Sequence, residues 1–241
     1  MKSSCLLIFA AAVIAVAMPV CTSAQARPID PQEVDRIIAA ARTLSQSGPV
    51  RAKMSWGYTE PGKDLTLMSS QTVEMTGKDR RHGISQKFFG SQQQKVETIT
   101  IDSTTYRREG DGPWTSEPTN AAVSNNGGSF LVSDSNAAGT RSTAGYVASG
   151  GRASAPFDMK SIAEDLGSET AVGVTLHHYR VTDKINMHDS ESTSTHDYWL
   201  EASGRLTKEM ISHSTGISTR VTVTTLEYEY PSSITIEAPI K

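Results

Sequence analysis

The sequence predicts one exported α+β domain, mostly antiparallel sheet, and three observations carry that prediction. A short apolar segment with a small-residue cleavage pattern opens the chain. One stretch of helical period follows it. Beyond Gly48-Pro49 the apolar period drops from 3.6 to 2, with Gly-, Asp- and Pro-bearing turns between the alternating segments.

Lys2 supplies a positive start, and Cys5 to Met18 is an unbroken apolar run closed by Pro19. That run is short of the ~20 residues a membrane-spanning helix needs. Ser23-Ala24-Gln25-Ala26 places alanine at −3 and −1 of a cut after Ala26. Residues 1–26 therefore read as a signal peptide, and 27–241 as a single mature domain in the periplasm of a bacterial envelope. Cys21 offers lipoprotein processing as a competing reading, but Met18-Pro19-Val20 lacks the small residues which that processing requires. Cleavage after Ala26 removes both cysteines, so the mature chain has neither a disulfide nor a thiolate site. A chain of this length buries enough core to do without them. A net charge of −3 and a pI of 6.1 argue against nucleic acid as a partner. Basic residues are scattered, the densest run being Lys78-Asp79-Arg80-Arg81.

Asp30 is placed as an N-cap, Pro31 as the first helical residue, and Glu33 at capping-box spacing. Val34, Ile37, Ile38, Ala41 and Leu44 then form one apolar stripe, ended by Gly48-Pro49. Val50, Ala52, Met54, Trp56 and Tyr58 alternate with smaller or polar residues as a half-buried strand. Strands are expected next over 65–76, 80–89, 94–101 and 104–109, and again from Trp114, paired in order as a meander. Residues 119–156 are mostly Ala, Ser, Gly, Asn and Thr, too poor in large apolar residues for a core of their own. They read either as a partly helical lid or as a disordered insertion. A short second helix is expected over Met159–Leu166. Sheet resumes over 174–182, 194–201, 205–213, 218–230 and 234–237.

Nucleophile-elbow, zinc-protease, P-loop and dinucleotide motifs are all absent from the sequence. His177 and His178 are adjacent on an expected strand, so they face opposite ways and cannot share a metal. His188 and His196 flank an acidic, Ser-rich turn and read far better as a solvated hairpin end than as a metal pair. The sequence therefore reads as a non-enzyme without metal or cofactor.

Four phrases occur in a telling order. They are Leu166-Gly167 through Glu169, Val172-Gly173-Val174 and Tyr179-Arg180-Val181; Tyr198-Trp199-Leu200-Glu201 through Gly204-Arg205-Leu206; Tyr228-Glu229-Tyr230-Pro231 through Ile234, Ile236 and Pro239; and Ile101-Asp102 through Tyr106 to Gly112-Pro113-Trp114. Together they resemble the LolA/LppX-like superfamily of envelope lipid and lipoprotein carriers. The resemblance implies an unclosed antiparallel half-barrel of about eleven strands, wrapped over the N-terminal helix and lid helices, with an apolar cavity between sheet and helices. It implies a monomer that binds a lipid or lipoprotein acyl chain and exchanges it with an inner-membrane releasing complex or an outer-membrane acceptor. The superfamily also includes the sensing domain of a sigma-factor regulator, and an envelope sensor or protein-interaction module with the same fold but a filled core is the alternative.

For a permissive acyl site the sequence offers Met54, Trp56, Tyr58, Leu65, Leu67, Met68, Val73 and Met75, thioethers and aromatics on the first two strands of the meander. The same residues serve equally to pack the sheet on the Val34–Leu44 helix. Arg80 and Arg81 stand where the superfamily's carriers place an Arg-Pro with a cavity-side arginine, though no proline is present here. Alternation allows only one of the two to face inward. In an apolar layer that guanidinium seeks carbonyl or hydroxyl partners, which residues 124–135 are expected to supply as a latch.

Overall fold

The computed structural model describes residues 26–119, 158–171, 173–187 and 190–240. The expected signal segment and the 119–156 insertion, with its expected lid and latch partners, lie outside the described residues except at their last and first positions.

Helix α1 (Pro31–Ser45) starts as its sequence dictates. The Asp30 carboxylate accepts from the Gln32 amide at 2.9 Å, and Pro31 occupies the first turn, where a missing N–H does no harm. Glu33 pairs with Arg36 one turn on, at 2.9 Å. Val34, Ile38 and Ala41 are buried, as the apolar stripe requires.

Among the described residues twelve strands make one antiparallel sheet. In chain order they are β1 (Arg27–Ile29), β2 (Val50–Thr59), β3 (Thr66–Thr76), β4 (Arg80–Phe89), β5 (Gln92–Ile101), β6 (Thr104–Glu109), β7 (Thr115–Pro118), β8 (Asp158–Ala171), β9 (Val174–Met187), β10 (Ser190–Glu201), β11 (Leu206–Thr215) and β12 (Val221–Glu229). The spatial order is β1-β8-β9-β10-β11-β12-β2-β3-β4-β5-β6-β7. Two in-order meanders, β2–β7 and β8–β12, are thus joined where β12 pairs with β2. β1 and β7 are not partners, so the sheet is an unclosed half-barrel with α1 on one face. Pro28 and Pro118 sit in these two edge strands, the places where a strand proline forfeits no ladder bond.

Two expectations are corrected. Met159–Leu166 is not a helix but the first part of β8. Met159, Ile162, Ala163 and Leu166 have helical spacing, yet the segment pairs with β9 residue for residue from Asp158↔Asn186 to Asp165↔Tyr179. Ala163 is buried in the core while Ile162 points away and is exposed. The unpaired edge of β9 outweighs local propensity. Residues Ile234–Glu237 are irregular rather than a closing strand. Ile236 is buried, and its carbonyl accepts from Arg80 Nη1 at 3.4 Å, across the start of β4. Gaining β1 and β8 and losing this tail strand takes the count from eleven to twelve.

The main core lies under the helix. Val34, Ile38 and Ala41 pack with Ala163 (β8), Val181 (β9), Tyr198 and Leu200 (β10) and Leu206 (β11). Leu206 is 1% exposed, and truncating such a leucine to alanine costs about 2–5 kcal/mol. Within this layer Glu209 is buried and accepts from Arg42 at 3.1 and 3.2 Å, tying α1 to β11. The Tyr230 hydroxyl reaches the Leu206 carbonyl and the Ser45 hydroxyl, which fixes the chain leaving β12 against the helix C-terminus.

Candidate functional site

Register defines the face that α1 shares, because directly paired residues point the same way. Four lateral rows cross the first meander on this inner face. The outermost runs Thr224-Trp56-Ser69-Lys87-Gln94, the next Leu226-Met54-Gln71-Ser85-Val96-Glu109. Then come Ala52-Val73-Gly83-Thr98-Arg107 and Val50-Met75-Arg81-Thr100-Thr105. Helix α1 packs against β8, β9 and β11, over the other meander. The core cluster beneath it includes no residue of β2 or β3.

Burial falls steadily along β2. Val50 and Ala52 are buried, Met54 is half-buried, and Trp56 is 40% exposed. Tyr58, at the open end, lies 4.6 Å from the Arg220 guanidinium, which in turn bonds Glu60 at 2.9 Å. Beyond it Leu65 and Leu67 are exposed. A bulge lies between, where Trp56 opposes Ser69 but Gly57 opposes Leu67. Gly57 is required there, since a Cβ would stand 2.3 Å from the Thr66 carbonyl oxygen. Of the remaining predicted residues, Met75 is half-buried, and Val73 is fully enclosed as a core side chain. Met54, Trp56 and Tyr58 thus share one face of β2, while Leu65 and Leu67 are set apart by the bulge.

The two arginines separate as alternation demands. Arg81 shares the inner face with Met75 and is half-buried, and loss of hydration lowers the pKa of its guanidinium. Arg80 is exposed and holds the C-terminal segment through Ile236.

Sequence reasoning missed a second feature of this face. A concavity of about 140 Å³ opens between Gly83, Ser85 and Lys87 of β4, Gln94, Val96 and Thr98 of β5, and Arg107 of β6. Only register brings these residues together. The signal was present in the alternation Arg81-Gly83-Ser85-Lys87, but nothing local marks which side is inner.

The outer face is a lattice of ion pairs. Arg51 bonds both Glu74 and Glu229, at 2.8 and 2.9 Å. Glu97 accepts from Arg108 at 2.9 and 2.6 Å and lies 2.8 Å from His82. Burial pushes the Glu97 carboxyl up, but its Arg108 and His82 hydrogen bonds outweigh this and hold it below the ordinary range. Asp197, 2% exposed, lies 2.7 Å from His178 and 2.8 Å from Arg180. Burial again raises the carboxyl and the two partners more than reverse it. The His178 ring stacks on Trp199 with centroids 4.3 Å apart. His177 faces the other way, 2.8 Å from Asp165, so the two histidines do diverge. His188 lies outside the described residues, so its pairing with His196 is not placed. Among the described residues no helix is long and apolar enough to cross a membrane.

No protein-family model matches the chain, and neither does any curated protein. Solved structures do. LprF from Mycobacterium bovis is 10% identical and superposes over 88% of this chain and 99% of its own, with a TM-score of 0.49. A LolA superfamily protein from Nitrosomonas europaea is 10% identical over 80% of this chain and 90% of its own, with a TM-score of 0.29. A putative outer membrane lipoprotein-sorting protein domain from Vibrio parahaemolyticus is 8% identical over 86% and 95%, with a TM-score of 0.28. With identities this low and TM-scores below 0.5, the half-barrel assignment rests on the chain's own strand order and helix placement.

Proposed function

We propose that this chain is a periplasmic binding or carrier protein that holds an acyl chain of a lipid or lipoprotein against the inner face of β2 and β3. One observation carries the reading: Met54, Trp56 and Tyr58 form an apolar strip on the helix side of the sheet, yet α1 lies over the opposite meander. A thioether and two aromatics adapt to a flexible chain. An open strip also suits a carrier energetically. Burial yields roughly 0.8 kcal/mol per CH₂, so fully enclosing one 16-carbon chain approaches ~12 kcal/mol. Three such chains would pass the practical ceiling near ~18–21 kcal/mol and would not be released.

The alternative, an envelope sensor or interaction module, draws support from the inner-face concavity, whose ~140 Å³ falls short of the roughly 300–1,000 Å³ of ligand pockets. Mass spectrometry of lipid co-purifying with native protein, followed by titration of delipidated protein with a fluorescent fatty acid, separates the two. Saturable binding supports the carrier; bare protein that takes up no fatty acid establishes the module.

A further inference from the structure

We infer that the concavity on β4–β6 is an anion subsite for a phosphate group, and that on the carrier reading the phosphate is the headgroup of an amphiphile whose chain lies on Trp56 and Met54. Charge on this meander is sorted by face. Glu74 and Glu97 lie on the outer face with Arg51, His82 and Arg108. The inner positions of β3, β4 and β5 carry no carboxylate, whereas β4 places Arg81 and Lys87 there at either end of Gly83-Ser85. Arg107 adds a third cation from β6. Inner carboxylates occur only at the far margin, Glu109 on β6 and Glu117 on β7. Glu109 bonds Arg107 at 2.8 Å and competes for it. Lys87 makes no hydrogen bond or ion pair among the described residues.

The lining is built for an oxyanion in its donors as well as its charge. The Ser85 and Thr98 hydroxyls and the Gln94 amide supply neutral donors between the two cations. Gly83 makes the room: a Cβ there would meet nothing closer than the Thr98 carbonyl oxygen, at 3.9 Å, so a side chain is absent where one would fit without strain. Placement links the subsite to the apolar strip. Trp56, Ser69 and Lys87 are consecutive partners in one lateral row, and at ~4.8 Å per strand the Trp56 and Lys87 backbones are ~10 Å apart. An anionic head at Lys87 therefore leaves its chain beside Trp56 on one continuous surface.

The test compares delipidated protein binding to a lysophosphatidate and to a monoacylglycerol of the same chain, with inorganic phosphate as a third probe. The expected result is at least tenfold tighter binding of the lysophosphatidate, weakened by salt. That ratio should fall toward one in Lys87→Glu and in Gly83→Leu, which fills the concavity without altering charge, and rise in Glu109→Gln. Equal binding of the two lipids, or a ratio unmoved by both variants, overturns the subsite and leaves the carrier reading intact. If neither lipid binds but phosphate shifts the backbone amide resonances of 83–87, 94–98 and 107, the subsite stands, its ligand is a soluble phosphate, and the carrier reading falls. No response to any of the three probes overturns the subsite and the carrier reading together.

Discussion

Replacing Trp56 by alanine is the sharpest test of the acyl strip, because the structure sets the size of the effect. Trp56 is 40% exposed. A tryptophan offers ~150–250 Å² of contact surface, so ~60–100 Å² is left for a ligand to cover. At ~25 cal/mol per Å² this area is worth ~1.5–2.5 kcal/mol. The expected weakening of fatty-acid binding is therefore ~10–70-fold in Kd. Fluorescence titration of delipidated protein reads it directly, with circular dichroism confirming that the sheet is intact. Ile162→Ala is the matched control, since Ile162 is 45% exposed but projects from β8 on the face away from the core. A Trp56→Ala protein that stays folded and binds within threefold of the wild type, or an equal loss in Ile162→Ala, refutes placement of the chain on this strip.

Gly57→Ala forces a Cβ against the Thr66 carbonyl oxygen and should destabilise the fold by ~1–3 kcal/mol, seen as a lowered denaturation midpoint; an unchanged midpoint means the bulge is not fixed as described. Asp197→Ala leaves His178 and Arg180 without their shared acceptor and should cost ~1–3 kcal/mol at neutral pH. Because the folded Asp197 carboxyl is depressed below its ordinary value near ~3.9, its stabilisation is present above that pH and lost as pH falls through the folded value. The gap between wild type and variant in urea melts should accordingly narrow below about pH 4, and a gap independent of pH would assign the effect to packing. Exported protein is expected to begin at Arg27, whose side chain pairs with Asp165 at 2.9 Å in the β1–β8 ladder; an intact mass showing acylated Cys21 would place the cut elsewhere.

Much of this architecture was legible because the local signals agree with one another. The cap at Asp30, the stripe from Val34 to Ala41 and the period-2 run of β2 each specify one element and its buried side. Opposite facing of Arg80 and Arg81, and of His177 and His178, followed from alternation alone. What escaped were features fixed by non-local partners. Residues 159–166 fit a helix until the edge of β9 is known, and Ile234–Glu237 fit a strand although no strand of the sheet pairs with them. Helix placement was equally hidden, because its stripe matches any apolar sheet face; the core chose Val181 and Leu206 over Met54 and Trp56. Lys87 and Arg107 are separated in sequence by one whole strand and the turns on either side of it, and only the three-strand register brings them together.

The pairing of β12 with β2 has a consequence for how the molecule is made. A chain synthesised N-terminus first can assemble each meander from neighbours, since every hairpin in it is local. The seam between them is different: it joins the first long strand to the last one. Until residues 221–229 are made, β2 waits as an open edge through the synthesis of nearly the whole protein. Val50 to Tyr58 is apolar on alternate residues and carries no proline, so this waiting edge lacks the protection that Pro28 and Pro118 give the finished sheet. The hazard to the protein is thus kinetic and temporary. Escorts that bind extended apolar strands would matter during its biogenesis, and a truncation removing β12 alone should aggregate through β2 even though both meanders retain their local pairing.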